Sequence, residues 1–415
     1  MTVRAIIVGA SHAGAQLCAS LRQEGWEGEI LLIGDEPALP YHRPPLSKTY
    51  LANKTTLDDL LIRPSAFYAK NDITIRHATV TSIDREAHVL TLSGGEELSY
   101  DKLALCLGAR PRRLPLAGSD LVGVHYLRDA ADIEAIRNGI TGSGRVVIIG
   151  AGYIGLETAA SLRKLGVDVT VLESAERVLQ RVTAPEVSAF YARVHREEGV
   201  EIRTGVAISA IEGDDRVRGV RLADGELVEA DLVIIGIGVV PNTELAEAAG
   251  LRVNNGITID DHALTSDPDI VAAGDCANHF MPRYDRCLRL ESVPSAGEQA
   301  KIAAATMCGK SKDITALPWF WSDQYELKLQ IAGLNEGYDS VVLRGDPEAG
   351  RSFACFYFKQ DELIAADCVN RPQEFMFSRR GIGERVPVDR SQLADPDSSL
   401  NDMLKAALAS KAAAG

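Results

Sequence analysis

The chain has 415 residues, enough for two or three domains, and its 46% hydrophobic and 25% charged residues are typical of a globular protein rather than a disordered one. A formal net charge of −14 argues against general nucleic-acid binding, and no apolar run approaches the roughly 20 residues that a membrane helix needs. Seven cysteines without a C-x-x-C pair indicate a reducing cytoplasm, and predict neither a disulfide framework nor a metal site such as zinc.

The first predicted element is a nucleotide-binding unit at 4–35, RAIIVGASHAGAQLCASLRQEGWEGEILLIGD. An apolar strand leads into Gly9, Ser11 and Gly14, which hold the three small-residue positions of a G-x-G-x-x-G turn before a helix. A second apolar strand follows, and the unit ends at Asp35. Because Ser11 replaces the second glycine, we expect slightly more crowding where the backbone approaches a pyrophosphate.

A proline-rich segment comes next, EPALPYHRPPLSKTYL at 36–51. Its prolines exclude a regular helix through the first part, and a helix that starts near Leu46 or Ser47 would carry Lys48 in its first turn. Because a lysine there gains nothing from the helix dipole, we expect it to face an anionic or electron-rich cofactor, with surface solvation as the alternative. Short strands and hairpins follow, ending with a strand at Lys102–Leu107.

The segment RVVIIGAGYIGLETAASLRKLGVDVTVLE, ending at Glu173, carries the strongest pattern in the chain. An apolar strand is followed by Gly150, Gly152 and Gly155 in G-x-G-x-x-G spacing, then by a helix whose N-terminus suits phosphates. A second apolar strand ends in Glu173, where a carboxylate accepts hydrogen bonds from ribose hydroxyls and repels a 2′-phosphate. The alternative is a glycine-rich turn of some other α/β protein.

The two glycine-rich units repeat each other. Gly9 aligns with Gly150, and Gly14 with Gly155, at one constant offset. A chain with two such folds usually holds two dinucleotides, and redox chemistry between them is the economical explanation.

Further elements are predicted after the second unit. A long helical segment is expected from Arg177 to Glu198, and a strand at Leu232–Ile235 leads into GIGVVPN, where Gly238 lets the backbone run close to a flat group. Asp275 directly follows a strand and Gly274, so it either caps a helix or binds a polyol, and we favour the polyol.

The last third begins with a helix at ESVPSA. Pro294 suits its first helical position, with Ser292 or Val293 as the cap, and its N-terminus is a source of partial positive charge. From Leu317 onwards an aromatic cluster, PWFWSDQY, and further strands predict a separate α+β domain.

LPYHRPPLSK, GIGVVPN, TSDPDIVAAGDCA, ESVPSA and PWFWSDQY, together with the two nucleotide units, resemble the FAD-dependent NADH:ferredoxin reductases of oxygenase systems, which are glutathione-reductase-like flavoproteins. The resemblance implies an α/β fold with two Rossmann-like dinucleotide-binding domains and a C-terminal α+β domain. The implied domains are an FAD-binding domain at 1–111 and 238–316, an NAD-binding domain at 112–237 and a C-terminal domain at 317–415.

The resemblance also implies site residues. It pairs Lys48 with Glu157, in the first turn of its helix, and places Trp321 near the isoalloxazine and the nicotinamide, a core tryptophan being the alternative. Expected contacts to FAD are Gly9, Ser11, His12, Ala13, Gly14, Asp35, Arg43, Lys48, Val80, Arg128, Gly274, Asp275 and Val293. Expected contacts to NADH are Gly150, Gly152, Tyr153, Ile154, Gly155, Glu157, Glu173 and Gly238.

The segment HRPPLSK contains no cysteine, whereas dithiol reductases and NADH peroxidases of this fold carry reactive cysteines there. Electrons that arrive from NADH as a hydride must therefore leave from the flavin itself, which suits an iron–sulfur partner. The resemblance implies that this partner is a [2Fe-2S] ferredoxin that feeds a haem-thiolate cytochrome monooxygenase. Docking of an acidic ferredoxin needs a local positive patch. Candidates for it are Arg63, Lys301, Lys328, Arg379 and Arg380.

Three other functions remain open. The chain could be the reductase component of a ring-hydroxylating dioxygenase, a reductase of a small molecule such as a quinone or monodehydroascorbate, or an NADH-sensing interaction protein like the apoptosis-inducing factors.

Overall fold

The computed structural model describes residues 3–140 and 144–414. The strands, in chain order, are β1 (Arg4–Val8), β2 (Glu29–Gly34), β3 (Ile73–His77), β4 (Val80–Asp84), β5 (Val89–Leu92), β6 (Glu97–Ser99), β7 (Lys102–Leu105), β8 (Ala109–Pro111), β9 (Val124–Tyr126), β10 (Arg145–Ile149), β11 (Asp168–Leu172), β12 (Glu201–Arg203), β13 (Ile208–Gly213), β14 (Val217–Leu222), β15 (Leu227–Glu229), β16 (Leu232–Ile235), β17 (Val239–Pro241), β18 (Ile257–Ile259), β19 (Ile270–Ala272), β20 (Ala277–Met281), β21 (Arg286–Leu288), β22 (Trp319–Gln324), β23 (Leu327–Gly333), β24 (Ser340–Arg344), β25 (Phe353–Lys359) and β26 (Glu362–Val369).

The α-helices, in chain order, are α1 (His12–Glu24), α2 (Ser65–Lys70), α3 (Ala130–Ile140), α4 (Tyr153–Lys164), α5 (Pro185–Glu197), α6 (Glu244–Ala248), α7 (Val293–Met307), α8 (Pro372–Glu384), α9 (Arg390–Ala394) and α10 (Leu400–Ala414). A π-helix at Leu46–Tyr50 and a 3-10 turn at Asp58–Leu60 complete the helical elements described.

The chain divides into two compact units, the first of which comprises Met1–Arg43, Thr56–Arg110 and Val239–Ala316. Its central sheet has the order β19-β7-β1-β2-β3 with every pairing parallel. Strand β1 is an apolar run because both faces of the sheet are covered. Helices α1 and α7 pack together through small side chains such as Ala303 and Ala304, which are fully buried.

The second unit comprises Pro44–Thr55, Pro111–Gly238 and Leu317–Gly415. It contains a sheet of order β12-β11-β10-β16-β9, again parallel throughout. When the strands of this sheet are counted from β9, their arrangement matches that of the first unit's sheet counted from β19. Strand β10 then stands in the place of β1, and β11 in the place of β2. The internal repeat predicted from the glycine spacing is therefore confirmed at the level of topology.

The last part of the second unit is an antiparallel sheet of order β22-β23-β26-β25-β24. One face packs against α8 and α10 through residues such as Phe356 and Phe375, and Phe353 contacts Phe190 of α5 at a ring distance of 4.9 Å. Residues 353–358 are all fully buried, since the sheet is covered on both faces. This domain was predicted as α+β, and the fold agrees.

Several boundaries differ from the sequence predictions. The helix predicted from Arg177 begins only at Pro185, because Leu179 has a positive φ of 53° and the residues before Pro185 form turns. Pro294 holds the second helical position of α7, since Val293 is the first and the Ser292 hydroxyl accepts from Ser295 N–H. Strand β7 stops at Leu105.

Residues 44–55, which the predicted boundaries place in the FAD-binding domain, belong to the second unit. The three-domain boundaries remain a prediction. Within residues 3–140 and 144–414, no helix combines the length and apolar character needed to cross a membrane.

Candidate nucleotide-binding and redox site

The turn between β10 and α4 is shaped as a phosphate cradle. A Cβ on Gly155 would stand 2.1 Å from the carbonyl oxygen of Gly150, so only glycine allows the helix to approach the strand this closely. Gly152 is the N-cap, makes no side-chain cap, and has open space around the position of a Cβ. The first N–H groups of α4 are therefore left for an external anion.

The turn between β1 and α1 repeats this geometry. A Cβ on Gly14 would stand 2.0 Å from the Gly9 carbonyl oxygen. Ser11 takes the N-cap place of Gly152, and its hydroxyl accepts a hydrogen bond from Arg43 Nε at 3.0 Å instead of capping the helix. The serine that replaces the second glycine of the pattern therefore contacts Arg43, which also forms an ion pair with Glu36.

Glu36 was not anticipated from the sequence. Its carboxylate accepts hydrogen bonds from Tyr41 and Arg43, so it organises the segment that follows β2. The sequence feature that could have indicated this residue is a second acidic residue directly after Asp35, followed by an arginine in the same loop.

The two folds carry their acids at different positions. Strand pairing sets Val8 against Ile33 and Ile149 against Leu172, so the counterpart of Glu173 is Gly34, and Asp35 comes one residue later. A Cβ on Gly34 would meet the Cβ of Ala10 at 2.5 Å, which leaves no room for an acidic side chain there. Asp35 itself is exposed.

Glu173 lies against its own glycine-rich turn. One carboxylate oxygen accepts from Ala151 N–H at 2.7 Å and the other from Ala175 N–H at 2.8 Å. The side chain is half-buried. This places a carboxylate between the end of β11 and the phosphate cradle, as a ribose-binding acid requires.

Lys48 and Glu157 form an ion pair, as predicted, with Nζ 2.7 Å from Oε2. Glu157 is only 5% exposed, and it lies beyond the first turn of α4, so the prediction of a first-turn acid was wrong. Ser47 Oγ donates to the same oxygen at 2.7 Å, and Ser322 Oγ of β22 donates to Oε1 at 2.6 Å. Both carboxylate oxygens of a buried charge are therefore satisfied.

The π-helix that carries Lys48 is anchored to the second unit. Ser161 of α4 donates to the Ser47 carbonyl oxygen at 2.7 Å, and the Tyr50 hydroxyl donates to Glu134 at 3.0 Å. Lys48 Nζ also donates to the carbonyl oxygen of Pro44 at 3.0 Å. These contacts fix the lysine against Glu157.

The remaining residues expected to bind FAD divide between the two units. Lys48 and Arg128 are in the second, with Arg128 N–H bonded to Asp132 just before α3. The others are in the first, where several come from the carboxyl ends of parallel strands, the usual ligand edge of such a sheet. That set comprises Gly9, Ser11, His12, Ala13, Gly14, Asp35, Arg43, Val80, Gly274, Asp275 and Val293.

The turn before Asp275 is held by a residue that the sequence did not single out. Gln299 of α7 is buried and accepts from Gly274 N–H at 2.8 Å through Oε1. Arg289 donates to the Asp275 carbonyl oxygen at 3.0 Å. The backbone on both sides of the predicted ribitol-binding acid is thus fixed by side chains.

An aromatic ring of β22 packs on the first residue of α4. Tyr153 lies 4.9 Å from the Phe320 ring, and Trp321 is half-buried with its ring 5.6 Å from that of Trp319. Ile154 is 46% exposed. Gly238, the last expected NADH contact, has a φ of 98°, which favours glycine.

The predicted docking residues also divide between the units, Arg63 and Lys301 in the first and the other three in the second. Arg63 is half-buried over the Phe67 ring at 4.5 Å, and Arg379 is exposed with its guanidinium 5.3 Å from the Trp319 ring. Lys301, Lys328 and Arg380 are exposed. A single patch formed by all five remains a prediction.

All seven cysteines are free thiols. Burial raises the pKa of Cys18 to about 12 and that of Cys276 to about 11, so both remain protonated near neutral pH. The described residues contain no group of His, Cys, Asp and Glu side chains that could hold a metal ion.

Comparison with known proteins places these features in a family. A model described as pyridine nucleotide-disulphide oxidoreductase matches residues 3–300, and one described as reductase C-terminal matches residues 319–404. The chain is similar to putidaredoxin reductase from Pseudomonas putida, with 48% identity over 412 residues, which are 97% of each chain. It is also similar to rhodocoxin reductase from Rhodococcus erythropolis, with 42% identity over 95% of this chain and 93% of that protein.

The structural likeness covers the same length. The crystal structure of the covalent putidaredoxin reductase–putidaredoxin complex matches with a TM-score of 0.95 and 47% identity, over 98% of this chain and 99% of the other. Both glycine-rich folds and the antiparallel C-terminal sheet fall within the matched residues. The chain therefore belongs to the pyridine nucleotide-disulphide oxidoreductase family, as an oxidoreductase with a glutathione-reductase-like fold and a reductase C-terminal domain.

Proposed function

We propose that this protein is an NADH-dependent ferredoxin reductase that binds FAD in its first nucleotide fold and NADH in its second. The observation that carries the proposal is the presence of two equivalent phosphate cradles, at Gly9–Gly14 and Gly150–Gly155, in a chain whose relatives are named reductases of putidaredoxin and rhodocoxin. Two dinucleotide sites in one chain allow electrons to pass between the bound cofactors.

In the first unit, the residues present fit FAD. The N-cap at Ser11 leaves the first N–H groups of α1 for a pyrophosphate, Asp35 is exposed at the end of β2 for a ribose, and Asp275 is held by its backbone for a ribitol. Bound FAD supplies a carrier that accepts two electrons as a hydride and releases them one at a time.

In the second unit, the β10–α4 turn and Glu173 would bind NADH. Glu173 sets the preference for a free 2′-hydroxyl over a 2′-phosphate because its charge repels the phosphate. Arg177 cannot offset this repulsion, since its guanidinium donates to the carbonyl oxygens of Thr183 and Gln180 and to the Ser188 hydroxyl.

The Lys48–Glu157 pair would orient the nicotinamide carboxamide and keep a positive charge beside the flavin. Its support is the closely hydrogen-bonded geometry, since Lys48 Nζ lies 2.7 Å from Oε2 of the buried Glu157. Trp321 would lie beside both rings. It is adjacent in the chain to Ser322, which contacts Glu157, and is only half-buried.

The partner would be a [2Fe-2S] ferredoxin that feeds a haem-thiolate cytochrome monooxygenase in the cytoplasm. The segment HRPPLSK contains no cysteine, and this supports direct electron transfer to a one-electron acceptor, because reductases of this fold that use a thiol relay carry reactive cysteines there. Arg63, Lys301, Lys328, Arg379 and Arg380 would supply the positive charge that an acidic ferredoxin meets.

The proposal is tested with the purified, FAD-loaded protein, NADH and the ferredoxins encoded in the same source, under anaerobic conditions. Rapid ferredoxin reduction that survives prior treatment with a thiol-blocking reagent is expected. Slow turnover with every ferredoxin, together with a long-lived complex of reduced flavin and NAD, would instead favour an NADH sensor. Rapid turnover with quinones but not ferredoxins would favour a small-molecule reductase.

A further inference from the structure

Glu157 is the end point of a continuous hydrogen-bond chain that begins in the C-terminal domain. Ser322 Oγ donates to Glu157 at 2.6 Å, and Gln324 Nε2 donates to Ser322 Oγ at 3.2 Å. Gln324 Oε1 is 2.8 Å from His195 Nε2, and His195 Nδ1 is 3.3 Å from the Tyr325 hydroxyl. Ser322, Gln324 and His195 are each 1% exposed or less.

The direction of every bond in this chain follows from its chemistry. A carboxylate only accepts, so Ser322 must donate to it and must accept from Gln324. The carbonyl oxygen of Gln324 then requires a proton on His195 Nε2. The Nδ1 atom of the neutral ring is left to accept from Tyr325.

The protonation of His195 agrees with this order. Burial lowers the pKa of its imidazole to about 4, so the ring is neutral at physiological pH. Tyr325 remains a donor because burial raises the pKa of its hydroxyl. Each donor in the chain thus points toward Glu157.

A proton path through these residues is excluded by Gln324. Its amide neither takes up nor releases a proton near neutral pH, so the chain is interrupted for proton transfer although it is continuous for hydrogen bonding. These hydrogen bonds instead hold the Glu157 carboxylate so that one oxygen accepts from Ser322 and the other remains for Lys48 and Ser47.

We infer that Ser322, supported by Gln324, is a positioning residue through which the C-terminal domain fixes the Lys48–Glu157 pair for hydride transfer. This inference rests on the proposed function only for the role of the pair. The hydrogen bonds themselves join β22 to α4 within one unit of the structure. The C-terminal domain thereby sets the geometry of Glu157 and of its pairing with Lys48.

The test uses the FAD-loaded protein, with NADH as the only reductant and no ferredoxin present. Rapid mixing gives the limiting rate of flavin reduction and the NADH concentration at half-saturation. Ser322→Ala is expected to lower the limiting rate roughly fivefold, the scale of one lost hydrogen bond, and to leave half-saturation within twofold. Ser322→Thr keeps the hydroxyl and restores most of the rate.

Ser340→Ala is the control, because Ser340 lies on the same sheet as Ser322 and its hydroxyl also donates to a carboxylate, that of Asp339. Neither residue belongs to the series of hydrogen bonds that ends at Glu157. The limiting rate of Ser340→Ala should equal that of the wild type. Gln324→Met provides an independent arm if Ser322→Ala does not fold. Its limiting rate should be lower than that of the wild type. Where Ser322→Ala also folds, Gln324→Met should slow reduction less than Ser322→Ala, and the double variant should be no slower than Ser322→Ala alone, since Gln324 acts through Ser322.

Thermal unfolding of the same proteins supplies a readout apart from catalysis. Ser322→Ala and Glu157→Leu should lower the midpoint by less together than the sum of their separate effects, because each substitution removes the hydrogen bond between these two side chains. Additive midpoints, or equal rates for Ser322→Ala and Ser340→Ala, would overturn the inference. Failure to reduce any ferredoxin would refute the proposed function and leave these results standing.

Discussion

The carboxylate of Glu173 accepts a hydrogen bond from Ala151 N–H at 2.7 Å, which joins the end of β11 to the glycine-rich turn before α4. A negative charge is therefore fixed beside the phosphate cradle. NADH should be preferred over NADPH by about 1 to 3 kcal/mol in transition-state binding, the scale of hydrogen bonds to charged groups. Equal values of kcat/KM for the two coenzymes would contradict this assignment.

Glu173→Gln should weaken that preference without reversing it. The substitution removes the repelling charge, but Arg177 stays occupied by the carbonyl oxygens of Thr183 and Gln180 and provides no site for a 2′-phosphate. The measurement is kcat/KM for both coenzymes with ferricyanide as acceptor. A variant that prefers NADPH would show that a further cation reaches the ribose.

Lys48→Met should slow flavin reduction by NADH about tenfold or more while FAD remains bound, because the buried carboxylate of Glu157 loses its cation. Lys328→Met is the control, since Lys328 is an exposed lysine on the same unit with no expected part in hydride transfer. An unchanged reduction rate for Lys48→Met in rapid mixing would show that the pair has no catalytic role.

Reversing the charges of Arg63 and Lys301 together should impair ferredoxin reduction far more than ferricyanide reduction. The reason is that only the protein acceptor needs docking. Ferredoxin reduction should also weaken as salt rises, since screening acts over about 10 Å at 0.1 M ionic strength. Equal losses with both acceptors would mean that Arg63, which lies over Phe67, supports the fold instead.

His195 should make the protein less stable in mild acid. Burial lowers the pKa of its imidazole from 6.5 to about 4, so the unfolded chain binds a proton that the folded chain refuses between these values. Its contribution to stability is complete above pH 6.5 and is lost as the pH falls toward 4. Relative to the wild type, His195→Gln should gain roughly 1.4 kcal/mol for each pH unit of acidification within that window.

Asp367 should act in the opposite direction. Burial raises the pKa of its carboxyl from 3.8 to about 7, and the Tyr357 hydroxyl donates to it at 2.5 Å. The folded state therefore holds a proton that the unfolded chain releases, so this contribution is complete below pH 3.8 and is lost as the pH rises toward 7. Asp367→Asn should gain stability over the wild type with rising pH, measured by unfolding midpoints from pH 4 to 7. A variant whose midpoint follows the wild type across this range would contradict the assignment.

The sequence predicted those features that depend on neighbouring residues. The bounds of β16, both glycine-rich turns and the start of α7 near Ser292 follow from local patterns of apolar residues, glycine and proline. The pairing of Lys48 with Glu157 came from the family resemblance, since nothing local connects the two.

The remaining features depend on packing between distant segments. Ser322 meets Glu157 across 165 residues of sequence, and His195 meets Gln324 across 129, so no local pattern could have revealed either contact. In the first nucleotide unit the acidic residue is Asp35, one position later than the counterpart of Glu173, because Ala10 leaves no room for a side chain at Gly34. This restriction is visible only once β2 is paired with β1.

The central claim is that electrons pass from NADH through a bound flavin to single-electron acceptors. It is tested most directly by reducing the FAD-loaded protein with one equivalent of NADH in the absence of oxygen and mixing it with excess oxidised [2Fe-2S] ferredoxin. The ferredoxin spectrum should report two ferredoxins reduced for each NADH consumed, on the time scale of turnover. Reduced flavin that persists in the presence of oxidised ferredoxin would contradict the account.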